Sequence, residues 1–288
     1  MTKSIYFECY PCLLRQVLDA VGYLDLDETS TKKIINETLL SLINIDDELT
    51  SSEIAALMHH KITSDSGGKD PYIKAKQYSL EKAFELFDYA KRIVQESYDP
   101  LETALKICAA GNIIDFGPSS DFDLKSAIEH VLKTQFTPFD YEAFKETLDK
   151  AQNILFLADN AGETVFDRLL IEQIEQPLIY VVKQAAIMND ALSIDAQNTK
   201  FPDYVKIIDN GTAIQGTVLK HCSPEFLEKF HQADLIISKG MANFETLPEE
   251  GPRSFFLLKI KCNPIAKLSG IPYESFVLKQ GGLLTNQI

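Results

Sequence analysis

Four short apolar runs, 153–158, 178–182, 205–208 and 234–238, punctuate the second half of this 288-residue chain. Helical stretches lie between and after them, at 161–175, 190–198, 212–220 (the weakest) and 224–232. The runs do not alternate apolar with polar residues, so they read as strands buried on both faces. Strands of that kind, separated by helices, make a parallel sheet covered on both sides. Ser223-Pro224-Glu225 opens the last helix, with Ser at N-cap and Pro at the first helical position. A late run, 275–278, reads as an added edge strand.

The first half has a different period. Apolar residues recur at helical spacing over 11–23, 31–45, 52–62, 75–96 and 100–110, and Gly111-Asn112 stops the last of these. Thr137-Pro138 marks a break, and 141–151 is a helix leading into the first strand. The expected organisation is α/β: an all-helical domain over 1–140, whose loop at 111–117 drops over the carboxyl edge of the sheet, and an α/β domain over 141–288.

Composition narrows the function. The net charge of −14 disfavours nucleic acid and anionic lipid as partners. It also repels phosphorylated metabolites unless a local cation receives them. No apolar run approaches the ~20 residues of a membrane helix, and the first residues do not read as a signal peptide, so a cytoplasmic location is the default expectation. Five cysteines, Cys9, Cys12, Cys108, Cys222 and Cys262, are an odd number and argue against a disulfide framework.

Each apolar run delivers polar residues to its carboxyl end, where ligands bind in an open α/β sheet. Asp159, Asn160 and Glu163 follow the first run, and Lys183 with Asn189-Asp190 the second. Asp209-Asn210-Gly211 follow the third, and Lys239-Gly240 with Asn243 the fourth. Asp and Asn are ordinary turn residues, which accounts for any one cluster; four in succession on one sheet edge point to a site. Asp159, Asn160 and Asp190 are hard oxygen donors suited to Mg²⁺ or Mn²⁺. No His or Cys stands beside them, which disfavours zinc. Lys239 and Lys261 supply positive charge for a phosphate. The acidic residues after the first run replace a G-x-G-x-x-G, and no P-loop or G-x-S-x-G is present, which disfavours a dinucleotide site, a P-loop NTPase and a serine hydrolase.

At these residues the chain resembles the damage-control phosphatases, formerly domain-of-unknown-function family 89. The resemblance is carried by Ala158-Asp159-Asn160-Ala161-Gly162-Glu163 with Phe166-Asp167, then Asn189-Asp190-Ala191, then Ser238-Lys239-Gly240 with Asn243-Phe244-Glu245-Thr246-Leu247, then Lys261-Cys262. Asp70-Pro71-Tyr72, Gly111-Asn112-Ile113-Ile114-Asp115-Phe116 and Cys9-Tyr10-Pro11-Cys12 match as well, so it spans nearly the whole chain. The paired cysteines resemble the prokaryotic branch. The chain departs from the pattern at Met241-Ala242.

The resemblance implies a helical part on a Rossmann-like, mostly parallel sheet with helices on both faces. It implies metal-dependent hydrolysis of small phosphate esters, such as sugar phosphates or damaged metabolites, with a divalent ion (Mg, Mn, Co or Ni). Asp159, Asn160 and Asp190 take the metal-ligand positions and Lys261 the phosphate-binding one. Asn112, Asp115, Lys239, Asn243 and Glu163 are the implied substrate contacts. Whether Asp159 or a water attacks phosphorus stays open, as does the oligomeric state.

Three other functions compete. An S-adenosylmethionine-dependent methyltransferase fits the core but expects a Gly-rich loop after the first strand. A non-catalytic phospholigand-binding protein would bind without releasing phosphate. A redox module would use Cys9 and Cys12, which also read as half a zinc site or as small buried hydrophobes. The five histidines lack ligand spacing.

Overall fold

A computed structural model describes residues 5–46, 48–111, 124–247 and 250–282. Three helices come first: α1 (Cys9–Gly22), α2 (Glu28–Ile43) and α3 (Ser51–Asp65). They close around their own apolar cluster, which includes Val17, Ile34, Met58 and Ile62. Side chains start two of them. Asp27 accepts the Ser30 N–H at 2.8 Å, and Thr50 forms a reciprocal capping box with Glu53.

Four helices follow: α4 (Ile73–Glu96), α5 (Pro100–Gly111), α6 (Leu124–Lys133) and α7 (Tyr141–Lys150). The α/β part then runs β1 (Ile154–Leu157), a 3₁₀ turn (Ala161–Glu163), α8 (Thr164–Ile171), β2 (Leu178–Val182), α9 (Ser193–Thr199) and β3 (Val205–Asp209). After a second 3₁₀ turn (Leu219–His221) come α10 (Pro224–Gln232), β4 (Leu235–Lys239), α11 (Met241–Thr246), β5 (Ser254–Lys259), α12 (Asn263–Ser269) and β6 (Phe276–Gln280).

The strand order is β3-β2-β1-β4-β5-β6, parallel throughout except for β6, which pairs antiparallel with β5. The two-residue side-chain period divides each strand between two cores. Ile154, Phe156, Tyr180, Ile237 and Phe255 face one side, with α4, α5, α7 and α8. Leu155, Leu157, Val181, Ile236 and Phe256 face the other, with α10, α11 and α12. This double burial is why the strands carry continuous apolar runs, and the α/β class read from the sequence holds. The chain leaves β1 toward β3, then returns to β4 on the other side of β1. The switch point therefore lies between the carboxyl ends of β1 and β4, where such sheets bind ligands.

The structure adds to the sequence reading and corrects it. β5 is a central strand that the four-strand pattern omits, and α6, α11 and α12 are further helices. No α-helix forms over 212–220; Gly211 and Gly216, at φ +80° and +71°, break that stretch, and only the 3₁₀ turn remains. Among the described residues, no helix is long and apolar enough to cross a membrane.

Candidate active site

Backbone pairing beyond the sheet assembles the site. Past β1 the Ala191 N–H donates to the Asp159 carbonyl at 2.8 Å, and the Ala161 N–H to the Asn189 carbonyl at 2.9 Å. Asn160 and Asp190 thereby form an antiparallel bridge. The two β–α loops are fastened together, which brings Asp159, Asn160 and Asp190 to one place. From the other side of the switch point Gly240, at φ +80°, packs directly on Asp159. A Cβ there would lie 2.0 Å from Asp159 Oδ2, so only glycine fits without displacing the carboxylate.

A buried ionic chain supports this rim from below. Asn160 Nδ2 donates to Glu163 Oε1 at 2.7 Å and to Asp159 Oδ2 at 3.3 Å, leaving Asn160 Oδ1 as its donor oxygen for a ligand. Glu163 Oε2 accepts from Lys239 Nζ at 2.8 Å, and Lys239 reaches Asp167 at 2.6 Å. Tyr180 OH and Cys108 Sγ donate to the same Asp167 at 2.6 and 3.1 Å. Burial opposes ionisation of Glu163, but the charges of Lys239 and Lys261, with hydrogen bonds from Lys239 and Asn160, together outweigh it and hold the carboxyl below its ordinary value. Asn243 is interior too: its amide donates to the carbonyls of Ala158 and Lys239 at 3.2 and 2.8 Å, and its Oδ1 accepts from Thr217 at 2.7 Å. Lys239, Glu163 and Asn243 are each 1% exposed or less and do not line the cavity above. The three residues expected from the sequence to meet substrate are packed beneath the cavity.

Asp190 has its own cations. Burial pushes its carboxyl up to about 6, while the charges of Lys183 and Lys76 pull it down. Lys183 Nζ stands 3.7 Å from Asp190 Oδ2 and donates to the Gly216 carbonyl; Lys76 pairs with Asp70 at 3.1 Å. Asp159 is raised well above the usual carboxylate range, first by burial and then by the charges of Glu163 and Asp190, with Lys261 acting the other way.

Asp159, Asn160 and Lys261 open on a cavity of about 500 Å³. Its facing wall comes from the helical half: Cys9, Cys12 and Gln16 of α1, and Ser51 of α3. Cys262 and Glu245 complete that side. Among the described residues, no three His, Cys, Asp or Glu side chains converge as a closed metal site. Asp159 and Asn160 face the cavity, and Asp190 lies buried behind them. Asn112 and Asp115, on the expected substrate loop, lie outside the described residues.

Sequence reasoning missed Lys183 as a partner of Asp190, Lys76 as a second cation near it, and Glu245 as a cavity residue. Lys183 carried a signal in its place at the end of β2. Lys76 carried none, because only the packing of α4 brings it near.

The family model for the damage-control phosphatase ARMT1-like domain matches residues 5–275. The chain belongs to this family. A damage-control phosphatase of Pyrococcus horikoshii, PH1575, is 34% identical over 282 residues, which cover 95% of this chain and 97% of that protein. One of Archaeoglobus fulgidus is 30% identical over 286 residues, covering 94% and 97%. An uncharacterised protein of Methanocaldococcus jannaschii, MJ0202, is 32% identical over 284 residues. The crystal structure of the Pyrococcus horikoshii DUF89 family protein superposes with a TM-score of 0.89, covering 96% of this chain and 99% of that one. That protein shares the mixed α/β fold described above over almost its whole length.

Proposed function

We propose that the chain is a metal-dependent phosphatase of small phosphate esters, with sugar phosphates and damaged phosphometabolites as its substrate class. The observation that carries the reading is the fastening of the loop bearing Asp159 and Asn160 to the loop bearing the buried Asp190, with Asp159, Asn160 and Lys261 opening on one cavity. Family membership and two relatives named as damage-control phosphatases support it. Cys9 and Cys12 favour the prokaryotic branch.

The donor set fits a hard divalent cation. Two carboxylates and an amide oxygen, with no imidazole or thiolate among them, suit Mg²⁺, Mn²⁺, Co²⁺ or Ni²⁺ held with open positions. Asp159, Asn160 and Asp190 would hold the ion; when bound it supplies Lewis-acid stabilisation of charge on a phosphoryl group. Lys261 binds the phosphate oxygens as a point charge from the cavity wall. The N–H of Ala161 is not a phosphate donor, because it is spent on the Asn189 carbonyl. Glu163 fixes the amide of Asn160, and Lys239 keeps Glu163 ionised. Gly240 leaves room for Asp159.

The test is phosphate release from a panel of sugar and cofactor phosphates with each of the four ions, and with chelator. Wild-type protein is expected to turn over in a metal-dependent manner, and Asp190→Ala to lose that turnover by 100-fold or more, roughly the scale of removing a group that stabilises developing charge. Full activity in Asp190→Ala would remove the basis of this assignment.

A further inference from the structure

We propose that Lys183 is the resident counter-ion of this site: its ammonium holds Asp190 in place in the metal-free protein, and its charge works against a divalent ion once one binds. The inference rests on the metal site proposed above and adds to it a positioning residue that limits how tightly the ion is held.

Lys183 is fixed at both ends. It follows β2 directly, where its N–H donates to the Ala191 carbonyl at 2.9 Å and it pairs with Leu192 in a parallel bridge, so its backbone flanks Asp190. At the other end its Nζ donates to the Gly216 carbonyl. That carbonyl is itself held. The Thr217 N–H donates to Thr246 Oγ1 at 2.8 Å, and Thr217 Oγ1 donates to Asn243 Oδ1 at 2.7 Å. A Cβ on Gly216 would lie 2.4 Å from the Ala242 carbonyl oxygen. The ammonium is thereby stationed between the Asp190 loop and α11.

From there Nζ stands 3.7 Å from Asp190 Oδ2, and both side chains are buried. The separation exceeds a hydrogen bond. Lys183 therefore lends charge without claiming a lone pair, and the oxygens of Asp190 stay available to a ligand. The other buried lysines nearby are committed elsewhere. Lys239 is 2.8 and 2.6 Å from Glu163 and Asp167, and Lys76 is 3.1 Å from Asp70. Among the described residues Lys183 has no carboxylate but Asp190 within ion-pair distance.

Two opposite effects follow from that one amine. A buried carboxylate stripped of its cation is costly, so the metal-free loop depends on Lys183. A divalent ion on the same carboxylate would meet a like charge already beside it, and like charges repel most where water is scarce. Lys183 thus supports the metal-free site and opposes the loaded one. An ordinary stabilising ion pair would do only the first.

The experiment measures melting temperature at pH 8 with chelator and with Mn²⁺, and the Mn²⁺ Kd by calorimetry, for wild type, Lys183→Met and the double variant K183M/D190N. With chelator, Lys183→Met is expected to melt roughly 6 °C or more below wild type. K183M/D190N should melt above Lys183→Met, because no charge is left stranded. Lys183→Met should bind Mn²⁺ about 10-fold more tightly than wild type. At 100 times the wild-type Kd this enlarges the melting shift from about 5 °C to about 8 °C. An equal or weaker affinity in Lys183→Met overturns the counter-ion role alone, as does a double variant no more stable than Lys183→Met. Should Lys183→Met fail to fold with chelator, the double variant decides: folded, it supports the proposal; unfolded, it overturns it. No Mn²⁺ binding by wild type overturns the metal site, and this proposal with it.

Discussion

At the scale of single residues, the site depends on groups that never touch the cavity. Lys239 is fully buried between Glu163 and Asp167. Removing one partner of a buried ion pair strands the others and costs about 3–5 kcal/mol. Lys239→Met is therefore expected to lose stability on that scale in urea unfolding at neutral pH. A variant of normal stability with only a raised KM would instead mean that Lys239 meets substrate. Gly240 makes a second prediction. Alanine there adopts a positive φ that costs about 1 kcal/mol or more, and its Cβ meets Asp159. Gly240→Ala should lose metal-dependent turnover to a greater extent than its thermal stability, measured by phosphate release and by melting on the same sample. The sequence made Asp159, Asn160 and Asp190 legible because strand ends are marked by composition. It did not show Lys239 as interior, because a lysine at a strand end looks the same whether its amine turns outward to phosphate or back onto two acids.

At the scale of elements, one carboxylate ties the helical half to the sheet half. Glu53 caps α3 through Thr50 and also accepts from Lys220 and His221 in the second 3₁₀ turn, at 2.7 Å each. Burial opposes its ionisation, but hydrogen bonds from Lys220, Thr50 and His221 outweigh burial and hold the carboxyl at about 2, against 4.5 for a free glutamate. A depressed carboxyl contributes stability that is present above the unfolded value and lost as pH falls through the folded one. Wild type should thus exceed Glu53→Gln in melting temperature at pH 7, with the difference closing between about 4.5 and 2. A gap independent of pH in that window would mean that the contacts of Glu53 do not depend on its charge. Elements long enough to show a period were readable: α4, α8 and β1 to β4 stand close to their expected positions. β5 was missed because α11 and α12 beside it are six and seven residues long and leave no helical rhythm to frame a strand.

At the scale of the whole molecule, the sheet supplies chemistry and the helical bundle supplies the facing wall. The switch point between β1 and β4 could be anticipated from four apolar runs. That α1 lays Cys9, Cys12 and Gln16 across from Lys261 could not, since the contact joins segments about 250 residues apart and no local pattern encodes it. The placement has a thermodynamic consequence. A divalent ion held, as proposed, by Asp159, Asn160 and Asp190 would join two loops that are already hydrogen-bonded, and would bind the folded chain and not the unfolded one. At 100 times its Kd such a ligand stabilises by about 2.7 kcal/mol. For a protein of this size each kcal/mol raises the melting point by about 2 °C. Mn²⁺ should accordingly raise the wild-type melting temperature by about 5 °C in differential scanning fluorimetry, and chelator should reverse it. Asp190→Ala, with one of the two carboxylates gone, should show little shift at the same concentration. An equal shift in both proteins would place the ion elsewhere on this acidic surface and separate metal binding from the switch point.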